Sequence, residues 1–258
     1  MALLELKGVS KYFGGLAAVN DFNMEVAEGE IRGLIGPNGA GKTTTFNLIT
    51  NVYPVSSGSI IFDGQDITGV STHKIAGMGL VRSFQSTILF MEFTVMENVM
   101  TALHLRAGMN QVQRYLGGAP KRERENEEYA RELIKFFGMS HLENELAMNL
   151  PHGYQRSLGV AMATANRPKM LMLDEPVTGM NPVETDHMMK LIRKIRDEWG
   201  ITVLLVEHDM KAVMGLCDGL TVISFGKKLA EGKPEEIRSN PEVIEAYLGK
   251  EAIEELAS

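Results

Sequence analysis

The octapeptide Gly36-Pro37-Asn38-Gly39-Ala40-Gly41-Lys42-Thr43 constrains this chain more than any other stretch. It fits the pattern G-x-x-x-x-G-K-[ST], whose glycines let the backbone turn tightly and aim successive N–H groups at phosphate oxygens. The pattern needs a strand before it and a helix after it. Ile31 to Ile35 reads as the strand and Thr44 to Ile49 as the opening turns of the helix, whose positive dipole end adds to the anion site. Lys42 supplies a full charge for the β- and γ-phosphates, and Thr43 offers a hydroxyl to Mg²⁺. A glycine-rich turn that merely joins a strand to a helix is the competing reading, and this context disfavours it.

The rest of the pattern agrees with a sheet built around that strand. Met170 to Leu173 and Ile201 to Val206 are short unbroken apolar runs, as buried parallel strands require. Between them, a helical period places Met188, Leu191 or Ile192, Ile195 and Trp199 on one face. Leu220 to Phe225 reads as a further strand before a Gly226-Lys227 turn. Leu3 to Val9 and Ala18 to Val26 are β-like around a turn at Phe13-Gly14-Gly15, Ile60 to Phe62 ends in Asp63-Gly64, and Leu80 to Phe84 reads as a buried strand. From Ser86 to Leu150 the pattern is helical, with Tyr129, Leu133, Ile134 and Phe137 on one face and the mixed charges of Lys121 to Glu128 on a solvated one. Pro234 and Pro241 suit the first turns of short helices in the tail. Strands alternating with helices predict an α/β fold. We expect a single domain over 1–258, with an α/β core from 1–85 and 157–233, a helical insertion at 86–156 and a helical tail at 234–258.

A second cluster of candidate residues lies at strand ends. Asp174 and Glu175 close the run Met170–Leu173. Asp174 fits a Mg²⁺ partner acting through water, and Glu175 fits a general base toward an attacking water. Taken alone, both acids are equally suited to capping the next loop. Gln85 ends another strand and could reach Mg²⁺ or the water, and His208 follows the run ending at Val206. Taken alone, a glutamine at a strand end is usually polar surface, and a lone histidine after a strand is more often a surface or satisfied residue. Their order along the chain is what lifts them above that reading: phosphate loop, glutamine, helical insert, paired acids, histidine.

Net charge is −7 and no basic stripe stands out, which argues against a nucleic-acid partner. The one cysteine, Cys217, has no internal partner for a disulfide, so a reducing compartment is expected. Met1 to Lys7 carries Glu5 and no basic leader, unlike a signal peptide. No apolar run reaches the ~18 residues of a membrane span. If the chain serves a membrane, it docks onto one.

In that order of motifs the chain resembles the nucleotide-binding subunits of ABC transporters along essentially its whole length. The resemblance implies a RecA-like phosphate-loop core, an antiparallel β subdomain at the N-terminus and an inserted α-helical subdomain. It implies ATP and Mg²⁺ as cofactors. ATP would be held by Gly36, Asn38, Gly39, Ala40, Gly41, Lys42, Thr43 and Thr44, and Mg²⁺ by Thr43, Gln85 and Asp174. Glu175, His208 and Gln85 would carry catalysis. Phe13, otherwise a core or turn aromatic, matches the ring that stacks on adenine. Gly179-Met180-Asn181-Pro182 matches a loop that faces a second ATPase subunit.

Within the family, Phe84-Gln85-Ser86 with Leu89-Phe90, Phe93-Thr94-Val95-Met96-Glu97-Asn98-Val99, and the ending Val243 to Gly249 look most like importers of branched-chain amino acids. That likeness implies two membrane permeases, a second ATPase, a solute-binding protein beyond them and a place on the cytoplasmic face of the inner membrane. Ser86 to Val99 is then the expected docking surface, although its apolar side chains could equally be core. A lipid or lipopolysaccharide exporter and a non-transport ABC protein are the competing readings.

One stretch departs from the family. Its signature, Leu-Ser-Gly-Gly-Gln, falls on Leu150-Pro151-His152-Gly153-Tyr154, followed by Gln155. Pro151 stands where the serine hydroxyl should be, and a proline fits the first turn of a helix. The lost hydrogen bond to a charged phosphate is worth roughly 1.5–3 kcal/mol. In this family the signature completes the partner's ATP site, so the expected assembly is a heterodimer with a related ATPase.

Overall fold

The computed structural model describes residues 1–83, 89–106 and 119–248. Among the described residues ten strands form two sheets. β1 (Ala2–Phe13), β2 (Leu16–Ala27), β4 (Ser57–Phe62) and β5 (Gln65–Asp66) make an antiparallel sheet in the order β2-β1-β4-β5. The second sheet runs β10-β9-β3-β8-β7-β6 and uses β3 (Ile31–Ile35), β6 (Leu80–Ser83), β7 (Met170–Asp174), β8 (Thr202–Val206), β9 (Gly219–Ser224) and β10 (Lys227–Gly232). Its pairs are parallel except for the antiparallel edge strand β10.

The helices are α1 (Lys42–Ile49), α2 (Thr72–Gly77), α3 (Val95–Arg106), α4 (Ala119–Phe136), α5 (His152–Thr164), α6 (Pro182–Trp199), α7 (Met210–Leu216), α8 (Pro234–Arg238) and α9 (Pro241–Leu248). α6 starts sharply because Asn181 caps it, accepting from Val183 and Glu184, while Glu184 reaches back to the Asn181 N–H. Gly200 ends it in the left-handed region, φ 67°.

The strands of the parallel sheet alternate between two cores, as a period of two demands. On β7, Leu171 and Leu173 pack with Val95, Val99, Leu133, Ile134, Met188 and Ile192, on the helical side. Met170 and Met172 pack with Phe46, Phe62, Phe22 and Leu204, toward α1 and the antiparallel sheet. Val203 and Leu205 of β8 join the first core, Leu204 and Val206 the second. Both faces are covered, which is why these runs read as unbroken apolar stretches.

Two local expectations shift. The last core strand stops at Ser224, so Phe225 and Gly226 are the turn and Lys227 already belongs to β10. Both turn residues have positive φ, 46° and 75°, the geometry of a two-residue hairpin. Pro151 is the N-cap of α5 rather than a first-turn residue, with its carbonyl accepting from Tyr154 and Gln155.

Candidate active site

The floor of the site is the turn from β3 into α1. Two of its glycines are required by close approach: a Cβ on Gly36 would lie 2.0 Å from the Ile223 carbonyl oxygen, and one on Gly41 would lie 2.7 Å from that of Ala18. Gly41 is also the α1 N-cap, at φ 112°, with no side-chain cap and no acid in the first turn. The first N–H groups of α1 therefore face outward without a competing anion from the chain. The hairpin turn after β9 braces the loop, because the Gly226 N–H donates to Ala40 and the Asn20 N–H donates to Gly226. Burial pushes the pKa of Tyr247, on α9, up to about 12, with the Gly36 backbone opposing the shift.

Lys42 is buried, and its Nζ donates to the carbonyls of Gly36 at 2.6 Å and Pro37 at 2.9 Å. Burial holds its pKa below the ordinary lysine value, and the nearby carboxylates of Glu175 and Asp174 oppose that shift. The lysine and the two acids thus share one electrostatic site. A cavity of about 490 Å³ opens over the loop. Asn38 to Thr44 form one wall, Glu175 another, and Phe13, Leu16 and Phe225 the rim. Phe13 is 44% exposed, so it is not core. Tyr53 packs edge-on against it at 5.5 Å, and Lys11 lies 5.1 Å over its ring.

Asp174 ends β7 almost fully buried, and its Oδ2 accepts from Arg82 on β6 at 2.6 Å. The same guanidinium donates to Asn47 of α1 at 2.6 Å and lies 5.5 Å over the Phe46 ring. Arg82 thus joins three elements beneath the cavity. It was not among the candidates, because an arginine inside a short apolar strand has no motif of its own. Glu175 follows at φ 49°, a left-handed conformation rare for such a residue. Its Oε2 accepts from the Thr178 hydroxyl at 3.2 Å, and its Oε1 lies 3.8 Å from His208 Nδ1. That last spacing is too long for a hydrogen bond.

Glu207 is the second residue that sequence reasoning passed over. It is 1% exposed, yet it is a carboxylate. Oε1 accepts from the Val177 N–H at 2.9 Å and Oε2 from the His208 N–H at 3.1 Å. Burial pushes its pKa above the usual range, countered by backbone donors from Val177, His208 and Asp209. The only hint in the sequence was a charge directly after the apolar run of β8.

The oxygen donors at hand suit Mg²⁺. Thr43 is exposed on the cavity wall, and Asp174 adds a carboxylate. Among the described residues no cluster of His, Cys, Asp or Glu could hold a metal unaided. Gln85 lies outside the described residues, so its distance to this donor set is not part of the geometry.

Pro151, His152 and Gly153 are not brought to this cavity. Gly153 instead lines a separate hollow of about 240 Å³ with Tyr154, Ser157, Val183, Glu184 and His187. The His152 ring lies 3.5 Å from where a Gly179 Cβ would stand, so the stretch around His152 adjoins the Gly179 loop.

The stretch before α3 splits between core and surface. Leu89, Val95 and Val99 are buried, while Phe90, Met91 and Phe93 are each over 40% exposed, as is Met148 beside them. Buried Asn98 pins this turn, with Oδ1 accepting from Phe90 N–H and Nδ2 donating to the Phe90 carbonyl. Phe90 and Phe93 stack at 5.3 Å. Ile88 and Ser86 lie outside the described residues.

A family model described as ABC transporter matches residues 19–178, and one described as branched-chain amino acid ATP-binding cassette transporter matches residues 227–253. The high-affinity branched-chain amino acid transport ATP-binding protein BraF of Pseudomonas aeruginosa is 46% identical over 254 residues, covering 96% of this chain and 98% of that protein. The corresponding protein LivG of Escherichia coli is 43% identical over 250 residues, covering 96% and 98%. The crystal structure of a nucleotide-free ATP-binding cassette from an ABC transporter superposes with a TM-score of 0.84 at 31% identity, over 97% of this chain and 100% of the other.

Proposed function

The chain belongs to the ABC transporter family of ATP-binding subunits, and we propose that it hydrolyses ATP to drive import of branched-chain amino acids. One observation carries the chemistry: Lys42, Thr43 and Glu175 line a single cavity with the exposed ring of Phe13 at its rim. In this reading the base stacks on Phe13, which uses a π-face and so discriminates bases weakly. The triphosphate lies along Gly36 to Thr44, and its charge draws the Lys42 ammonium away from the Gly36 and Pro37 carbonyls. Thr43, Asp174 and Gln85 would hold Mg²⁺, which would offset the charge on the phosphates. Glu175 takes a proton from the attacking water, while His208 and Gln85 position the γ-phosphate and that water.

Assembly follows from the position of the signature stretch. Among the described residues lining the cavity, none comes from 150–156. The site would be completed by the signature of a second ATPase, and Pro151 would present a weakened one in return. A heterodimer confines that defect to one of two sites. The exposed Phe90, Met91, Phe93 and Met148 would receive two membrane permeases, placing the chain on the cytoplasmic face of the inner membrane. A solute-binding protein on the far side would choose the cargo. The helical stretch 86–156 would move as a unit between permease and ATP.

The test is hydrolysis by the chain alone, with a partner ATPase, and in the assembled importer. Slow turnover alone and faster turnover with a partner carrying an intact signature are expected. Glu175→Gln should retain ATP in a closed pair, with turnover down about 10²–10⁴-fold. Full turnover by that variant would remove Glu175 as the base, and full turnover by the chain alone would remove the heterodimer.

A further inference from the structure

We infer that Glu207 is a positioning residue for hydrolysis, its buried carboxylate yoking the loop that follows Glu175 to the loop that carries His208. The inference rests on the ATPase reading above and adds a residue to it. Val177 stands two residues after Glu175, and Glu207 stands directly before His208. Between these two loops, Glu207 Oε1 accepts from Val177 at 2.9 Å and Oε2 accepts from His208 at 3.1 Å. The Glu175 and His208 side chains then face each other at 3.8 Å. Those two loops have a further backbone tie, from the Glu175 N–H to the Val206 carbonyl at 2.9 Å. That bond joins them at Glu175 itself, whereas Glu207 joins them two residues after it.

The chemistry of the bridge is specific to a carboxylate. Every partner of Glu207 is a donor, and only a group that accepts at both oxygens satisfies them. Glutamine is nearly isosteric, but it must turn an NH₂ toward Val177 or toward His208. In a site this buried that leaves donor against donor. One loop would swing away, and Glu175 would lose its fixed angle to His208. A group that touches neither nucleotide nor water can therefore still set the rate, because a displacement near 1 Å can cost about a hundredfold.

The experiment compares wild type, Glu207→Gln and Glu207→Asp as full chains in the assembled importer, with amide hydrogen exchange run on the same proteins. For Glu207→Gln the expected result is a fall in kcat of about ten- to a hundredfold with KM for ATP unchanged within about twofold. Exchange should rise at the Val177 and His208 amides and stay constant along the core strands. Glu207→Asp keeps an all-acceptor group and should retain more of the rate than Glu207→Gln. Unchanged kcat, a loss shared equally between kcat and nucleotide affinity, exchange raised throughout the chain, or a rate for Asp below that for Gln would each overturn the inference. If Glu207→Gln does not fold, Glu207→Asp alone decides, through protection at Val177. If the wild type itself does not hydrolyse ATP, the ATPase reading fails, and exchange at the two amides still shows whether Glu207 holds the loops together.

Discussion

Replacing Arg82 with methionine tests whether the pair beneath the cavity is a structural keystone. The Arg82 and Asp174 side chains are 7% and 5% exposed, and they meet at 2.6 Å. Methionine keeps most of the stem and removes the cation, which leaves the Asp174 carboxylate buried without its counter-charge. Removing one partner of a buried pair costs about 3–5 kcal/mol. The bond from Arg82 to Asn47 is lost as well, but Asn47 is only half-buried and can turn to water. The ion-pair term therefore dominates. Against a typical total of about 5–15 kcal/mol this is a large fraction. At roughly 2–4 °C per kcal/mol for a chain of this size, Tm should fall by about 6–20 °C. Calorimetry without nucleotide reads this directly. Asp174→Asn removes the other charge, and the double variant should melt well above the sum of the single losses, with a coupling of about 1–3 kcal/mol. Mg²⁺ with a non-hydrolysable ATP analogue should raise Tm more in Arg82→Met than in wild type, since the cation replaces the missing charge. A melt within about 2 °C of wild type, or additive single losses, would refute the reasoning.

Three other outcomes are expected. Phe13→Ala should weaken ATP binding by about 1–3 kcal/mol, roughly five- to 150-fold, while Phe13→Trp should bind as well as wild type; titration with a fluorescent ATP analogue reads both. Met148→Asp places a charge in the exposed apolar patch, so hydrolysis by the isolated chain should be unchanged while transport in vesicles is lost; intact transport would show that permeases dock elsewhere. Cys217 is buried, and burial pushes its thiol up to about 12. At pH 8 only about one thiol in 10⁴ is ionised, so a maleimide should leave the native chain unlabelled for hours yet label it at once in denaturant.

The sequence made the phosphate loop and the core strands legible because both are local patterns. Gly36 to Thr43 is a contiguous motif, and Met170 to Leu173 is an unbroken apolar run whose burial on both faces leaves no alternation to misread. The tail helices were equally readable from Pro234 and Pro241, each at the first helical position. What stayed hidden depends on contacts distant along the chain. Arg82 meets Asp174 across 92 positions and Glu207 meets Val177 across 30. Neither residue type announces that it will be buried, because a lone charge next to apolar residues usually marks the end of an element. The end of β9 was misplaced by one residue because Phe225 is as strand-like as its neighbours by composition. It is 92% exposed and in the left-handed region, which only the pairing of β9 with β10 could reveal. Core and surface around Phe90 could not be separated beforehand, since the selection is made by Asn98 pinning the turn.

The division of β7 between two cores has a mechanical corollary. Leu171 and Leu173 are gripped from the helical side, Met170 and Met172 from the side of the phosphate loop. Sliding the strand by one residue would exchange the two sets, so slippage is blocked from both directions at once. Close-packed interiors also yield little to compression. Asp174, which ends this strand, is therefore held in register from both sides.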